Sequence, residues 1–247
     1  MEQDKIKKIV KKKYSKVAKK TSCCGGSASC STSDEDIART IGYSDEEIND
    51  FSDANLGLGC GNPTAIGLIN KGEIVLDLGS GAGFDCFLAV KKVGNSGKVI
   101  GIDMTQEMVT RATENAKKYG YNNVEFRLGD IDDLPIESNS IDVIISNCVI
   151  NLAPDKKVVF NEAYRVLKNN GRMYLSDIVL LEELTEEQRN DDDLICSCVG
   201  GALLKDVYLK IIRDAGFKVR ILSENKSISK IQYRSIPLES ISIEAIK

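Results

Sequence analysis

Along the first segment, apolar side chains recur at Ile6, Ile9, Val10, Tyr14 and Val17. This is close to helical spacing and predicts one amphipathic helix over Ile6 to Lys19. Residues 21–36 (TSCCGGSASCSTSDED) are almost wholly Gly, Ser, Thr, Cys and Asp, so they read as a mobile loop with nothing to pack. Ser44, with Glu47 three residues on, has the form of a capping box and opens a short helix before the glycine-rich LGLGCGNP at 56–63. Pro63 can then begin a further helix over Thr64 to Asn70. From Glu73 the pattern becomes regular. Apolar strands are expected at 74–78, 98–102, 124–128, 141–146 and 173–178, with helical stretches at 84–93, 105–119 and 156–167 between them. Continuous apolar strands alternating with amphipathic helices predict an α/β fold with a parallel sheet covered on both faces. After Ile178 a polar, acidic insertion containing ICSCVGGALL (195–204) interrupts the repeat. A helix at 205–215, a strand near 218–222 and an alternating tail at 240–246 follow. With no internal repeat and no clear linker, a single domain with an N-terminal extension and a lid-like insertion is the economical reading.

Composition narrows the chemistry. The 247 residues are 42% apolar and 28% charged, ordinary for a soluble globular chain, and no run approaches the roughly 18 apolar residues of a membrane helix. Neither a spanning protein nor a membrane partner is expected. Eight cysteines fall short of the roughly 8–10% of a disulfide scaffold, and the lysine-rich start lacks the apolar core of a signal peptide. Reduced thiols and a cytoplasmic location are expected. Histidine is absent, which removes Ser/His and Cys/His catalysis and imidazole metal sites together. Nine lysines stand against Glu2 and Asp4 in residues 1–20, while the chain as a whole carries −4. The remainder is therefore acidic, the opposite of a nucleic-acid-binding fold, and the basic stretch reads as a solvated helix face.

The segment Val75-Leu-Asp-Leu-Gly-Ser-Gly-Ala-Gly83 leaves a strand and enters a helix. Gly79, Gly81 and Gly83 around Ser80 let the backbone turn tightly and approach a ligand at the C-terminal edge of a parallel sheet. Asp103 ends the next strand, twenty residues past Gly83, where its carboxylate can accept both hydroxyls of an adenosine ribose. A dinucleotide would bring a pyrophosphate to the helix N-terminus, and Asp77, two residues before Gly79, would oppose that anion. It suits a ligand carrying an amino group and a sulfonium. The loop resembles the S-adenosylmethionine motif of class I methyltransferases. That resemblance implies adenine contacts from Gly129, Asp130 and Ile131, packing of Met104 on the adenine face, and Asn147 near the transferred methyl.

Cys148 follows Asn147 at the end of the fourth strand, Cys60 lies in a glycine-rich loop, and Cys198 precedes Gly200-Gly201 in the insertion. One such cysteine is most simply a buried apolar thiol, but three at loops and strand ends facing one cleft favour a ligand set. Cys86 reads as packing. GLGCG (57–61), LDLGSGAGFDCF (76–87), GIDMT (101–105), SNCVINLAPDK (146–156), EAYRVLK (162–168) and CVGGAL (198–203) are similar to the arsenite methyltransferases, from about residue 56 to 204. The resemblance implies a Rossmann-like class I fold with a mainly parallel seven-stranded sheet. Within it, residues 1–70 form the N-terminal helix, Cys-rich loop and cap, 71–180 the S-adenosylmethionine-binding core, and 181–247 the insertion and the strands completing the sheet. It also implies trivalent arsenic held by Cys60, Cys148 and Cys198, and a redox cysteine in the N-terminal loop. Cys23, Cys24 and Cys30 are the candidates, with Cys24 standing for the group because spacing does not decide among them. Tyr14 matches an aromatic residue of a helix closing over the cofactor, or else packs on the sheet edge.

This chemistry fits the residues. Trivalent arsenic is thiophilic, favours three sulfurs in a pyramid and keeps a lone pair that needs no general base. Transfer formally oxidises arsenic, and a dithiol closing to a disulfide can return the two electrons before thioredoxin or glutathione reduces it. Two other readings compete: a methyltransferase for another small molecule with incidental cysteines, and a thiolate metal- or metalloid-binding protein on a vestigial nucleotide fold.

Overall fold

The computed structural model describes residues 2–19, 33–228, 233 and 236–247. Its centre is one seven-stranded sheet. In chain order the strands are β1 (Ile74–Leu78), β2 (Lys98–Asp103), β3 (Val124–Leu128), β4 (Ile141–Asn147), β5 (Leu167–Leu180), β6 (Lys218–Asn225) and β7 (Leu238–Ile246). Their spatial order is β3-β2-β1-β4-β5-β7-β6. β1 to β5 run parallel, and β7 lies antiparallel between β5 and β6. The two central strands are apolar on both faces: Val75, Leu76, Leu78, Val143, Ile144 and Ile145 are fully buried. Side chains of that kind have no solvated face, so helices must cover both sides of the sheet.

The helices are α1 (Glu2–Ala18), α2 (Asp34–Thr40), α3 (Asp45–Asp50), α4 (Pro63–Ile66), α5 (Phe84–Val93), α6 (Gln106–Tyr119), α7 (Lys156–Val166), α8 (Glu186–Arg189), α9 (Asp192–Cys196) and α10 (Lys205–Asp214). Three departures from the sequence pattern have physical reasons. Asp34–Asp36, expected in the loop, begin α2 because Ser33 caps it in a reciprocal box with Asp36. The helix expected from Thr64 to Asn70 stops at Ile66. Gly67 turns extended there, where a Cβ would meet the Pro63 carbonyl and the Tyr174 ring. β5 runs well beyond the expected 173–178, starting at Leu167 through an irregularity in its pairing with β4 and with Asn170 at φ 62°. Within the acidic insertion, Thr185 and Asp191 cap the short helices α8 and α9.

Helix α1 lies against α6, α9 and the 3-10 turn at Ile150–Leu152, and so crosses the C-terminal edge of the sheet. Among the described residues no helix is long and apolar enough to cross a membrane.

Candidate active site

The strand ends of β1, β2 and β4 open into a cleft of about 1190 Å³, counting its solvent mouth. Gly79, Ser80, Gly81, Asp77, Asp103, Met104, Gly129, Asp130, Ile131, Asn147 and Tyr14, the expected cofactor residues, all line it. Gly83 does not. It is the left-handed residue ahead of α5 and sits against Phe87 and Phe126. Two glycines of the loop show what the cleft requires. A Cβ on Gly79 would meet Val149 at 2.3 Å, so the turn closes only without a side chain. A Cβ on Gly81 would meet nothing within 4 Å, because that position faces the open cradle.

Polar groups converge on this cradle. The Asp103 carboxylate accepts from the backbone N–H of Gly81 (3.0 Å) and of Thr105 (2.8 Å), and burial still holds its pKa above the usual carboxylate range. The Ser80 hydroxyl is buried with no hydrogen-bond partner. Asp77 is buried and accepts from the Cys86 thiol at 3.2 Å. Cys86, expected only to pack, therefore also braces an acid of the cleft. Asp85, which the sequence reading overlooked, is also buried. Its pKa is pushed up to about 6, chiefly by desolvation, against the hydrogen bonds from Tyr43 and Asn147 that favour its charged form. Desolvation and the neighbouring Asp85 likewise raise Asp77 well above the ordinary range. Two desolvated carboxylates beside an unpaired hydroxyl and an open glycine cradle fit a ligand with a cationic amino-acid end and an adenosine end. S-adenosylmethionine has that composition, and the residues present suit it.

The N-terminal helix covers this region. Lys7 donates to Asp132 at 2.9 Å and lies 3.4 Å from Asp130, while the Tyr14 hydroxyl donates to the Cys196 carbonyl at 3.0 Å. Cys196 itself lies at the end of α9.

Behind the cleft the three predicted thiols meet. Cys60, Cys148 and Cys198 are buried, unbridged members of one apolar cluster. Of these, only Cys148 also lines the cleft. The Cys148 sulfur accepts from the thiols of Cys198 and Cys60 and from the Tyr233 hydroxyl, which pulls its pKa well below the usual thiol range despite burial. Burial, together with those same hydrogen bonds to Cys148, pushes Cys60 and Cys198 up.

The backbone is arranged for this meeting. Cys148 (φ 58°) and Cys198 (φ 67°) are two of the four non-glycine residues described at positive φ. Each such residue costs on the order of 1–3 kcal/mol and persists where the surroundings over-determine it. Cys60 is fixed by Asn147, whose Oδ1 accepts from the Cys60 N–H at 3.0 Å. Asn147 Nδ2 lies within hydrogen-bond reach of the Gly61 carbonyl (2.8 Å), Tyr43 Oη (2.9 Å) and Asp85 Oδ2 (3.2 Å). Asn147 therefore ties the cradle's acids to the Cys60 loop.

Beneath the thiols lies a second acid absent from the sequence reading. Asp177, near the end of β5, has a carboxylate oxygen that together with the Cys60 and Cys148 sulfurs forms a group lying within 4.8 Å of one another. It accepts from Asn151 (2.9 Å), the Ile178 N–H (2.9 Å) and Tyr208 (2.8 Å). The signal for it was an acid inside the apolar run MYLSDI. Cys23, Cys24 and Cys30 lie outside the described residues.

The comparisons with known proteins agree with this geometry. A methyltransferase-domain family model matches residues 69–216. The arsenite methyltransferase of Halobacterium salinarum is 42% identical over 236 residues, covering 91% of this chain and 60% of that protein. The human arsenite methyltransferase is 44% identical over 152 residues, 58% of this chain and 40% of that one. The chain thus spans less than two thirds of the length of the curated relatives it matches. The crystal structure of an arsenic(III) S-adenosylmethionine methyltransferase from Chlamydomonas reinhardtii superposes with a TM-score of 0.68 at 34% identity, covering 85% of this chain and 73% of that one. With its glycine cradle, terminal ribose-type acid and three converging thiols, the chain belongs to the arsenite methyltransferase family of class I S-adenosylmethionine-dependent methyltransferases.

Proposed function

We propose that this chain transfers the methyl group of S-adenosylmethionine to trivalent arsenic held by the thiolates of Cys60, Cys148 and Cys198. The observation that carries the reading is Cys148, which is at once a wall of the cradle and the hub of the thiol cluster.

Gly79, Ser80 and Gly81 would take the donor's backbone-facing side, Asp103 the ribose hydroxyls, and Met104, Gly129, Asp130 and Ile131 the adenine. Asp77 and Asp85 would pair with its amino group, a cation that returns both buried carboxyls to their charged form. Tyr14 and Asn147 flank the reacting end. When bound, the donor supplies a methyl carbon made electrophilic by its sulfonium and departs as S-adenosylhomocysteine.

Arsenite reaches the cluster as its hydroxide. As each thiol replaces a hydroxyl, that hydroxyl leaves as water with the thiol's proton, so three As–S bonds form while three As–O bonds break. Cys148, the thiol whose neighbours most favour loss of its proton, is the natural first ligand. The resulting pyramid leaves a lone pair on arsenic, and no proton has to be removed before it takes the methyl. A protein without histidine loses nothing by that route. The protein's contribution is placement, holding arsenic and methyl carbon about 3–3.5 Å apart in line. Methylation raises arsenic formally to the pentavalent state. An N-terminal dithiol, with Cys24 the first candidate beside Cys23 and Cys30, would return two electrons on closing to a disulfide, and thioredoxin or glutathione would reopen it. A chemistry that depends on reduced thiols supports a cytoplasmic location.

The deciding experiment follows transfer of labelled methyl from S-adenosylmethionine by the reduced protein, with mass analysis of the arsenic species. Transfer that requires arsenite and is lost in Cys148→Ser supports the proposal. Turnover onto another acceptor without arsenite would assign the chain a different small-molecule substrate, and arsenite binding without turnover would make it a metalloid-binding protein.

A further inference from the structure

The thiol pocket holds one more donor than arsenic requires. Trivalent arsenic fills three positions with sulfur and keeps the fourth direction for its lone pair, so a fourth ligand would compete with the reacting pair. A d10 dication such as Cd²⁺ or Zn²⁺ has no such lone pair and closes a tetrahedron of sulfur and oxygen donors. The Asp177 carboxylate oxygen and the Cys60 and Cys148 sulfurs all lie within 4.8 Å of one another. The Cys198 sulfur is outside that group of three, but it contacts the Cys148 sulfur and donates to the Cys148 carbonyl oxygen at 2.6 Å, so joining the site requires only a turn of its side chain. All four residues are buried.

We propose that Cys60, Cys148, Cys198 and Asp177 form a tetrahedral S3O site for a thiophilic d10 dication, with Asp177 the ligand that distinguishes it from the three-sulfur arsenic site. The carboxylate is already held for this role. Asn151 and the Ile178 N–H take both acceptor positions of one oxygen and Tyr208 one position of the other, which fixes the plane of the group and leaves the oxygen held by Tyr208 a lone pair for the ion. On binding, the dication takes electron pairs from the three sulfurs and the Asp177 oxygen, the thiol and carboxyl protons pass to the buffer, and no electron changes hands. A chain that binds such an ion here cannot hold arsenic at the same time. Cadmium and zinc are then competitive inhibitors against arsenite and not against the methyl donor.

The inference shares its thiols with the proposed arsenite site but does not depend on methyl transfer. It is tested by titrating Cd²⁺ into the reduced full chain and following thiolate-to-cadmium charge-transfer absorption, with arsenite binding measured in parallel. Losing even an outer partner of a metal site costs about 10–100-fold in affinity. Asp177→Asn should therefore weaken Cd²⁺ at least about tenfold while changing arsenite affinity less than about threefold. Cys148→Ser should abolish both. X-ray absorption of the zinc-loaded wild-type chain gives a readout independent of any variant's folding, and three sulfurs plus one oxygen are expected. Four sulfurs, unchanged Cd²⁺ affinity in Asp177→Asn, or Cd²⁺ binding that survives in Cys148→Ser would overturn the site. If Cd²⁺ binds as described but arsenite does not, it is the arsenite reading that fails and the dication site that stands.

Discussion

Cys148 combines a strained backbone, a lowered thiol pKa and a place on both sides of the wall between cradle and cluster. Replacing its sulfur by oxygen keeps the fold's volume but removes the soft ligand. Cys148→Ser is therefore expected to lose at least about 100-fold in arsenite-dependent methylation, roughly 2.7 kcal/mol of barrier. It should leave S-adenosylhomocysteine affinity within about threefold, and equilibrium dialysis of the two ligands separates the effects. Asp85 makes a prediction of the opposite kind. Its folded pKa of about 6 stands above the ordinary 3.8, so the folded chain holds this proton more tightly than the unfolded one. The stability it contributes is complete below pH 3.8 and is lost as the pH rises through about 6. In urea titrations of the ligand-free protein, the stability of wild type relative to Asp85→Asn should accordingly improve between pH 7 and pH 5. A gap independent of pH would show that Asp85 is charged throughout. At this scale the sequence exposed the residues that stand in a motif: Asp103 at a strand end, Gly79 and Gly81 in their loop, and the three cysteines. It hid Tyr43, Asp85 and Asp177, whose meaning comes from partners 42, 62 and 31 positions away along the chain. No local pattern marks such a pair.

Among the elements, α1 covers the cleft, which it lines through Lys7 and Tyr14. Its apolar stripe was legible from the spacing of Ile6, Val10 and Tyr14, and Val10 is fully buried among the residues that enclose the thiols. The direction in which it lies was not legible, because that is set by polar contacts with distant acids. Lys7 meets Asp130 and Asp132, Lys13 meets Asp193, and Ser15 and Lys19 meet Glu107. Surface pairs of this kind contribute about 0–1 kcal/mol each and are screened by salt, so the half-buried hydrogen bond from the Tyr14 hydroxyl to the Cys196 carbonyl should matter more. Tyr14→Phe removes a donor worth about 1 kcal/mol, which predicts roughly fivefold faster amide exchange across α1 with the exchange of β1 and β4 unchanged. Protection identical to wild type would mean that packing alone holds the helix. The short α2 teaches a related point. Ser33 and Asp36 carry the same capping signature as Ser44 and Glu47, but it was submerged in a run of small polar residues that reads as loop. α8 and α9 were hidden in the same way inside the acidic insertion.

For the molecule as a whole, buried strands separated by helices announced the parallel part of the sheet, whereas the strand order and the antiparallel place of β7 between β5 and β6 were not written in that pattern. What the pattern could not write is that the two ligand sites share one side chain. Asn147 closes β4, accepts from the Cys60 N–H and reaches the Gly61 carbonyl, and on its other side contacts Tyr43 and Asp85. A cationic donor end that charges Asp85 thus strengthens the hydrogen bond to Asn147, and that amide fixes the loop carrying Cys60, one of the proposed arsenic ligands. By linkage, whatever the donor does for arsenite, arsenite must do for the donor. Saturating S-adenosylhomocysteine, which keeps the amino group, or arsenite alone should each raise the denaturation midpoint. At about 100 times the dissociation constant, each would contribute roughly 2.7 kcal/mol. Together they should stabilise by more than the sum, by an excess on the order of 1 kcal/mol. Asn147→Ala should leave each ligand binding more weakly and make the two increments additive. Calorimetric titration of arsenite with and without S-adenosylhomocysteine measures the same quantity directly. An arsenite affinity identical in the two titrations of wild-type protein would show that the cradle and the thiol cluster, though they share a wall, do not communicate through it.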